Sequence, residues 1–253
     1  MRLRVIGLLS VLLSVTSAHA AGINLRWAVC FADGGVANKA FACNTNTGSE
    51  VLVGSFELGS ALPQADGMQA IVDVASAASP LPSWWQFRDV GTCRRSSMFV
   101  SFAPLPTSIL CLDPYDQNAV GGIGNYVVGF SGPNTSRVTV IDAVTATQAA
   151  DLEAGVEYFA FNMTVNNQKT VGTGACAGCS TPGCIALNNI RVAFLDGGTT
   201  VLTPPITNPA NGSDSHIATW QGGVGVPALP GGACAGPVPT REATWGAVKA
   251  LYH

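Results

Sequence analysis

The sequence predicts an all-β chain, an antiparallel β-sandwich of jelly-roll type stapled by disulfides, with a short helix at its C-terminal end. Three observations predict it. Short runs rich in Val, Ile, Phe, Thr and Tyr alternate with clusters of Gly, Pro, Asn and Asp, the pattern of strands and turns. No long helical period appears before the C-terminal tail, so the strands have no helices to cover them and must pack sheet on sheet. Eight cysteines, an even number, follow what reads as an export signal.

That signal is the first element. Residues 1–20 carry Arg2 and Arg4, an apolar run from Val5 to Val15, and small residues ending in Ala18-His19-Ala20. The run is shorter than the roughly 20 residues that span a bilayer, and no later segment is longer, so the mature chain is expected to begin near Ala21 without a transmembrane segment. The first cysteine, Cys30, lies too far along for a lipid anchor at the cleavage site. Loss of Arg2 and Arg4 takes the formal charge of −3 to −5, which argues against nucleic acid as a partner. Charged residues make up 11% of the chain against about 25% in an ordinary soluble domain, so Thr, Ser, Asn, Gln and Gly must form much of the surface.

The expected strands run in order at Val51–Leu58, Met68–Ala75, Met98–Ala103, Tyr126–Phe130, Arg137–Ala143, Glu157–Val165 and Cys184–Phe194. In the sixth, strict alternation places Phe159, Phe161, Met163 and Val165 toward the core and Tyr158, Ala160, Asn162 and Thr164 away from it. Leu152-Glu-Ala-Gly155 supplies the turn before it, with Gly155 where a positive φ is expected. Residues 75–80 allow at most a short helical turn, ended by Pro80. Ser131-Gly-Pro-Asn134 is of hairpin length and not a linker, so one domain is expected over residues 22–236. From Pro204 to Pro237 the chain reads as long loops around one more strand at Ile217–Gln221. In the tail, residues 237–253, Trp245, Val248 and Leu251 or Tyr252 share a face of a short helix capped by Thr240 or Thr244.

Cys176-Ala-Gly-Cys-Ser-Thr-Pro-Gly-Cys184 gathers three cysteines in nine residues. A structural zinc site prefers two close ligand pairs, and here Cys184 stands apart with Cys234 fifty residues beyond it. A redox Cys-x-x-Cys needs a helix N-terminus, whereas Ser-Thr-Pro-Gly is a turn. All eight cysteines, Cys30, Cys43, Cys93, Cys111, Cys176, Cys179, Cys184 and Cys234, are therefore expected in disulfides. Proximity suggests Cys30 with Cys43 and Cys93 with Cys111. The other four allow three pairings, of which Cys179 with Cys184 and Cys176 with Cys234 is favoured.

For ligand binding, Trp84 in Pro82-Ser-Trp-Trp-Gln-Phe87 is the candidate. On a strand it would turn outward if Trp85 and Phe87 turn inward, and beside Arg94 and Arg95 it could stack on a sugar. The competing reading covers Trp84 with a loop or the tail. Asp113, Asp116 and Asn118 offer oxygen ligands of a kind calcium accepts, although the spacing is not that of a calcium loop and a hydrogen-bonded turn competes. No other cofactor is suggested. A Ser-His-Asp device would have to use His216 in Asp214-Ser-His216, with its three groups arranged by the fold, and no Gly-x-Ser-x-Gly elbow precedes it. Asp151, Glu153 and Glu157 are the acids nearest a glycosidase pair, but Gly155 interrupts them. Asn134, Asn162 and Asn211 form glycosylation sequons. The glycines at 48, 121, 122 and 124 lack the strand-to-helix setting of a phosphate cradle.

Ile23-Asn-Leu-Arg-Trp27 with Cys30, Phe41-Ala-Cys-Asn-Thr-Asn46, Pro82–Phe87, Lys169–Cys179, Ala218-Thr-Trp-Gln-Gly222 and Thr244–Tyr252 together resemble a group of uncharacterised secreted bacterial proteins. The resemblance spans nearly the whole mature chain and implies export and a shared sandwich, with no activity and no catalytic residues to carry over. The last nine residues resemble an ending found on otherwise different exported proteins, which implies a docking or sorting tail. The expectation is a secreted, periplasmic or cell-surface protein, non-catalytic, that binds an extracellular glycan or an envelope protein. A carbohydrate-binding module using Trp84 is the alternative, and a carboxylate-based hydrolase is the less favoured third.

Overall fold

The computed structural model describes residues 21–87, 91–204, 215–229 and 234. Residues 1–20, expected to form an export signal, Asn211, Asp214 and the expected tail helix lie outside the described residues. Twelve strands run along the chain: β1 Gly22–Trp27, β2 Asn38–Lys39, β3 Ser49–Glu57, β4 Leu62–Ser76, β5 Met98–Ser101 and β6 Val120–Val128, then β7 Thr135–Ala143, β8 Ala150–Leu152, β9 Glu157–Asn166, β10 Gly183–Phe194, β11 Thr199–Leu202 and β12 Ile217–Trp220. Among the described residues the helices are three short 3₁₀ turns.

One sheet is ordered β1-β3-β9-β5 and the other β2-β12-β10-β4-β7-β6, with β11 added on β10 and β8 on β4. Pairing is antiparallel throughout except between β12 and β2. Apolar side chains of both sheets meet in one core, Ile23, Leu25, Leu52, Phe56 and Phe161 from the first and Val72, Val74, Val138, Ile185 and Leu187 from the second. This is the antiparallel sandwich that the strand-and-turn pattern predicts. The Ser131–Asn134 segment is a hairpin, its ends closed by the Gly129 amide donating to the Thr135 carbonyl, and Gly155 has φ 74° as its turn requires.

Strict alternation fails in β9. Gly54 pairs with Phe161 and Ser55 with Phe159, so Ala160 is an extra residue, a β-bulge. Beyond it Phe161, Met163 and Val165 face the main core. Phe159 instead joins Cys30, Val53 and Cys111 on the outer face of the sheet, and Tyr158, expected outward, is 5% exposed in the main core. Its hydroxyl accepts the Glu153 amide at 2.8 Å. Nearly the whole strand is buried because loops cover the outer face. Phe161 in turn lies directly over Gly54, where any Cβ would overlap the ring.

All eight cysteines form disulfides, but none of the sequence-proximity pairs occurs. The bonds are Cys30–Cys111, Cys43–Cys179, Cys93–Cys176 and Cys184–Cys234, over sequence separations of 81, 136, 83 and 50. Topology explains the difference. Cys30 follows β1, at one edge of the first sheet, and Cys111 precedes Leu112, which hydrogen-bonds to β9 at Glu157 and Phe159; their loops meet over the outer face. Cys234 does fasten the C-terminal segment to the sandwich, through Cys184 of β10 in a cluster with Ala75, Ala186, Val226 and Leu229. Each bond closes a long loop, worth about 4 to 5 kcal/mol taken singly on the chain-entropy view.

The Gly54→Ala variant is expected to lose about 1 to 3 kcal/mol, because Phe161 is itself enclosed and has nowhere to retreat. Gly122→Ala in β6, where a new Cβ meets nothing within 4 Å, is expected to stay within about 0.5 kcal/mol. Urea unfolding of both variants measures the contrast.

Candidate functional site

Trp84 is not a surface platform. Residues Ser83–Trp85 form a 3₁₀ turn and not the strand that an outward Trp84 required, so Trp84 and Trp85 do not alternate and are 0% and 1% exposed. Pro80 and Pro82 preclude regular ladder pairing just before them. Trp84 packs against Phe41, Trp85, Phe87 and Trp220, and its indole N–H donates to Thr170 Oγ1 at 3.0 Å. Arg94 is buried as well. Its guanidinium stacks 3.6 Å from the Trp84 ring centroid and donates to the carbonyls of Trp84 and Asn166. Burial pushes its pKa down to about 9. Arg95 remains exposed, so the three residues expected to form a sugar site are divided between core and surface. Trp27, Trp84, Trp85 and Trp220, the described tryptophans, are all enclosed.

The acids are occupied by the backbone. Glu157 accepts the amides of Phe31 and Ala32, at 3.2 and 2.8 Å, together with Ser55 Oγ and Asn24 Nδ2. Asp151 accepts the Gln64 amide at 2.9 Å. Glu153 is exposed. Asp113 accepts the amides of Tyr115 at 3.0 Å and Gln117 at 2.7 Å. Asn118 Nδ2 donates to the carbonyls of Tyr115 and Asp116. These are the bonds of a self-closed turn, the reading that competed with a calcium loop. Among the described residues one trio of potential metal-ligand atoms falls within 4.8 Å, Cys30, Asp33 and Cys111, and its two sulfurs are joined in a disulfide. Ser215 Oγ donates to the Ile23 carbonyl and His216 is buried. Of the sequons, Asn162 is 2% exposed and donates to the Ala103 carbonyl; Asn134 donates to the Ser76 carbonyl.

Two features escaped sequence reasoning. The first is a cleft of about 300 Å³ where β4 and β7 meet, lined by Asp66, Met68, Asp142 and Arg191 among others. Asp142 Oδ1 accepts the Met68 amide at 2.6 Å, while Oδ2 is buried without a partner among the described residues. Desolvation, with a smaller contribution from Asp113, pushes the Asp142 pKa up to about 7. Burial and the carboxylates of Asp142, Asp66 and Asp113 raise that of Tyr115 as well. A carboxyl group near neutrality would suit a general acid, and the free oxygen of Asp142 is buried.

The second feature lies over the first sheet. Asp33 Oδ1 accepts the amides of Ile109 at 3.1 Å and Leu110 at 2.9 Å, and the Cys30–Cys111 bond closes the loop beside them. Ile109, Leu110 and Leu112 are nevertheless 75, 59 and 52% exposed. The signal in the sequence was Ser108-Ile-Leu-Cys-Leu112, an apolar run outside any strand pattern.

Asp142 predicts a pH dependence. Its native pKa lies above the unfolded value, so the native state binds the extra proton and stability falls as pH rises from about 4 to about 7. The Asp142→Asn variant should flatten that fall, which is on the order of 4 kcal/mol, and should melt above the parent at pH 8. Calorimetric melting between pH 4 and 8 reads the crossover.

No family model matches the chain and no curated protein does. Among solved structures the chain is similar to a cohesin module from a Clostridium perfringens family 33 glycoside hydrolase, at 8% identity and TM-score 0.35, over 73% of this chain and 92% of that one. It is also similar to the second type II cohesin module of the cellulosomal adaptor ScaA scaffoldin of Acetivibrio cellulolyticus, at 8% identity and TM-score 0.33, over 72% and 89% of the two chains. Likenesses this distant carry no argument about what the chain does.

Proposed function

We propose that the chain is an exported, non-catalytic binding component that recognises an envelope protein through the loop carrying Ile109, Leu110 and Leu112. The observation that carries this reading is that three large aliphatic side chains are held outward on a backbone fixed by a disulfide and by the Asp33 carboxylate. An unconstrained loop with these residues would fold them against its own sheet. Here the amides of Ile109 and Leu110 are tied down, so their side chains stay in water until a partner covers them. Burying a Leu or Ile fully yields about 1.5 to 3 kcal/mol, and a preorganised loop loses little entropy on docking. Export is supported by the signal-like residues 1–20 and by four disulfides, which persist in oxidising compartments. The absence of catalysis is supported by acids that close turns and loops.

A photo-crosslinker at position 110, used in the native envelope, identifies the partner, and titration of that purified partner measures affinity. The combined variant I109S/L110S/L112S is expected to weaken binding at least about 100-fold while keeping the parent's melting temperature within a few degrees. Undiminished affinity in that variant would refute the assignment. Turnover of glycosidic, ester or peptide substrates that disappears in Asp66→Asn would replace it with an enzyme.

A further inference from the structure

The Cys176-Ala-Gly-Cys179 loop holds one end of two disulfides whose other ends, Cys43 and Cys93, come from different parts of the chain. Cys43 and Cys93 are the two half-exposed cysteines, whereas the other six are buried. A cleft of about 350 Å³ is lined by Cys43, Cys176, Cys179, Thr170, Gly178 and Ser180. It presents both loop cysteines and the half-buried Cys43, whose Sγ accepts Gln221 Nε2 at 3.4 Å, on a single surface.

We propose that this cleft is a thiol-exchange site, in which an incoming thiolate rearranges the two disulfides into one bond across the Cys-x-x-Cys loop. The thiolate attacks Cys43 Sγ from the cleft, forming a mixed disulfide at Cys43 and releasing the Cys179 thiolate. Cys179 attacks Cys176 Sγ, forming Cys176–Cys179 and expelling the Cys93 thiolate, which takes a proton from solvent. Two S–S bonds are present before, and two after, one of them to the incoming thiol. A second thiol then removes the first from Cys43, leaving the protein reduced by two electrons and the reagent oxidised to its disulfide. The spacing of two residues lets Cys176 and Cys179 approach within bonding range in a single turn. Lys169 donates its ammonium to the Cys93 carbonyl at 2.8 Å, a positive neighbour that favours Cys93 as the leaving thiolate.

The rearrangement unfastens two segments at once. Phe41, two residues from Cys43, packs edge-on against Trp27 and Trp84, and Arg94, adjacent to Cys93, stacks on Trp84. Release therefore loosens the contacts that enclose the tryptophans.

The test treats the exported, oxidised protein with limiting reduced glutathione, quenches it with iodoacetamide, and maps the cysteines by peptide mass spectrometry. The expected first product carries glutathione on Cys43, alkylated Cys93 and a Cys176–Cys179 bond, with Cys30–Cys111 and Cys184–Cys234 intact and tryptophan emission shifted. It should form at least about tenfold faster than either buried disulfide opens, a barrier difference of about 1.4 kcal/mol. In the Cys93→Ser, Cys176→Ser double variant the reaction should stop at an alkylated Cys179. A first product of the parent with free Cys179 and an intact Cys93–Cys176 bond would overturn the proposal, as would prior opening of Cys30–Cys111 or Cys184–Cys234.

Discussion

The loops of this protein are held by carboxylates that accept backbone amides. A loop laid over a sheet has N–H groups with no strand to receive them, and each one left unpaired away from water costs about 1 to 3 kcal/mol. Glu157 receives Phe31 and Ala32, Asp33 receives Ile109 and Leu110, Asp113 receives Tyr115 and Gln117, and Asp151 receives Gln64. Charge-assisted bonds of this kind are stronger than those between neutral groups. A chain with 15 acidic residues thus places several of them where loops must be fixed. The disulfides act at the same places: Cys30 lies next to Phe31, and Cys111 next to Leu110. Covalent and ionic fastening together bury the outer face of the first sheet, and this makes Val53 and Phe159 a second small core.

The main core is organised by a cation instead. Arg94 is 1% exposed, and its described hydrogen bonds go to carbonyls, with the Trp84 ring beneath it. Desolvation penalises the charge, as its lowered pKa shows, and the quadrupole of the indole offsets part of that penalty. Asp73 solves the converse problem on the outer face of the second sheet. Its carboxylate is 0% exposed and receives Arg137 in a bidentate pair, along with Asn188 Nδ2. The bond to Asp73 raises the pKa of Arg137, which stays a guanidinium cation. Removing Arg137 would strand the buried Asp73 charge, whereas Arg137 without Asp73 would still reach water.

Much of the sandwich was legible from side-chain chemistry, because β-branched and aromatic runs bounded by turn residues identify strands locally. β1 is equally legible, since Ile23, Leu25 and Trp27 alternate inward with Asn24 and Arg26 between them, but it directly follows residues expected to form an export signal, whose apolar run obscures its start. The bulge at Ala160 was hidden because it depends on the partner strand, where Gly54 leaves room for the Phe161 ring. An outward Trp84 depended on strand alternation, which fails in a segment that two prolines exclude from a regular ladder; the competing reading, a covered Trp84, is what the structure has. Disulfide pairing was illegible for a more general reason. Loop-closure entropy favours neighbours in sequence only weakly, growing with the logarithm of loop length, so the fold decides which sulfurs meet.

Asp142 departs from the pattern that the other acids set, and the departure is informative. It also receives a backbone amide, from Met68, but its second oxygen is enclosed with no partner among the described residues, near the similarly unpartnered Tyr115 hydroxyl. The strands around it approach unusually closely. A Cβ at Gly67 would lie 2.7 Å from the Asp142 carbonyl oxygen, and glycine at that position is what admits the contact. Burial of that oxygen penalises the charged form, so the group lowers its free energy by holding a proton. Glu157, Asp33, Asp113 and Asp151 are stabilised by the amides they receive. Asp142 is protonated more readily instead, which puts a pH-sensitive group at the end of the sheet where β4, β6 and β7 converge.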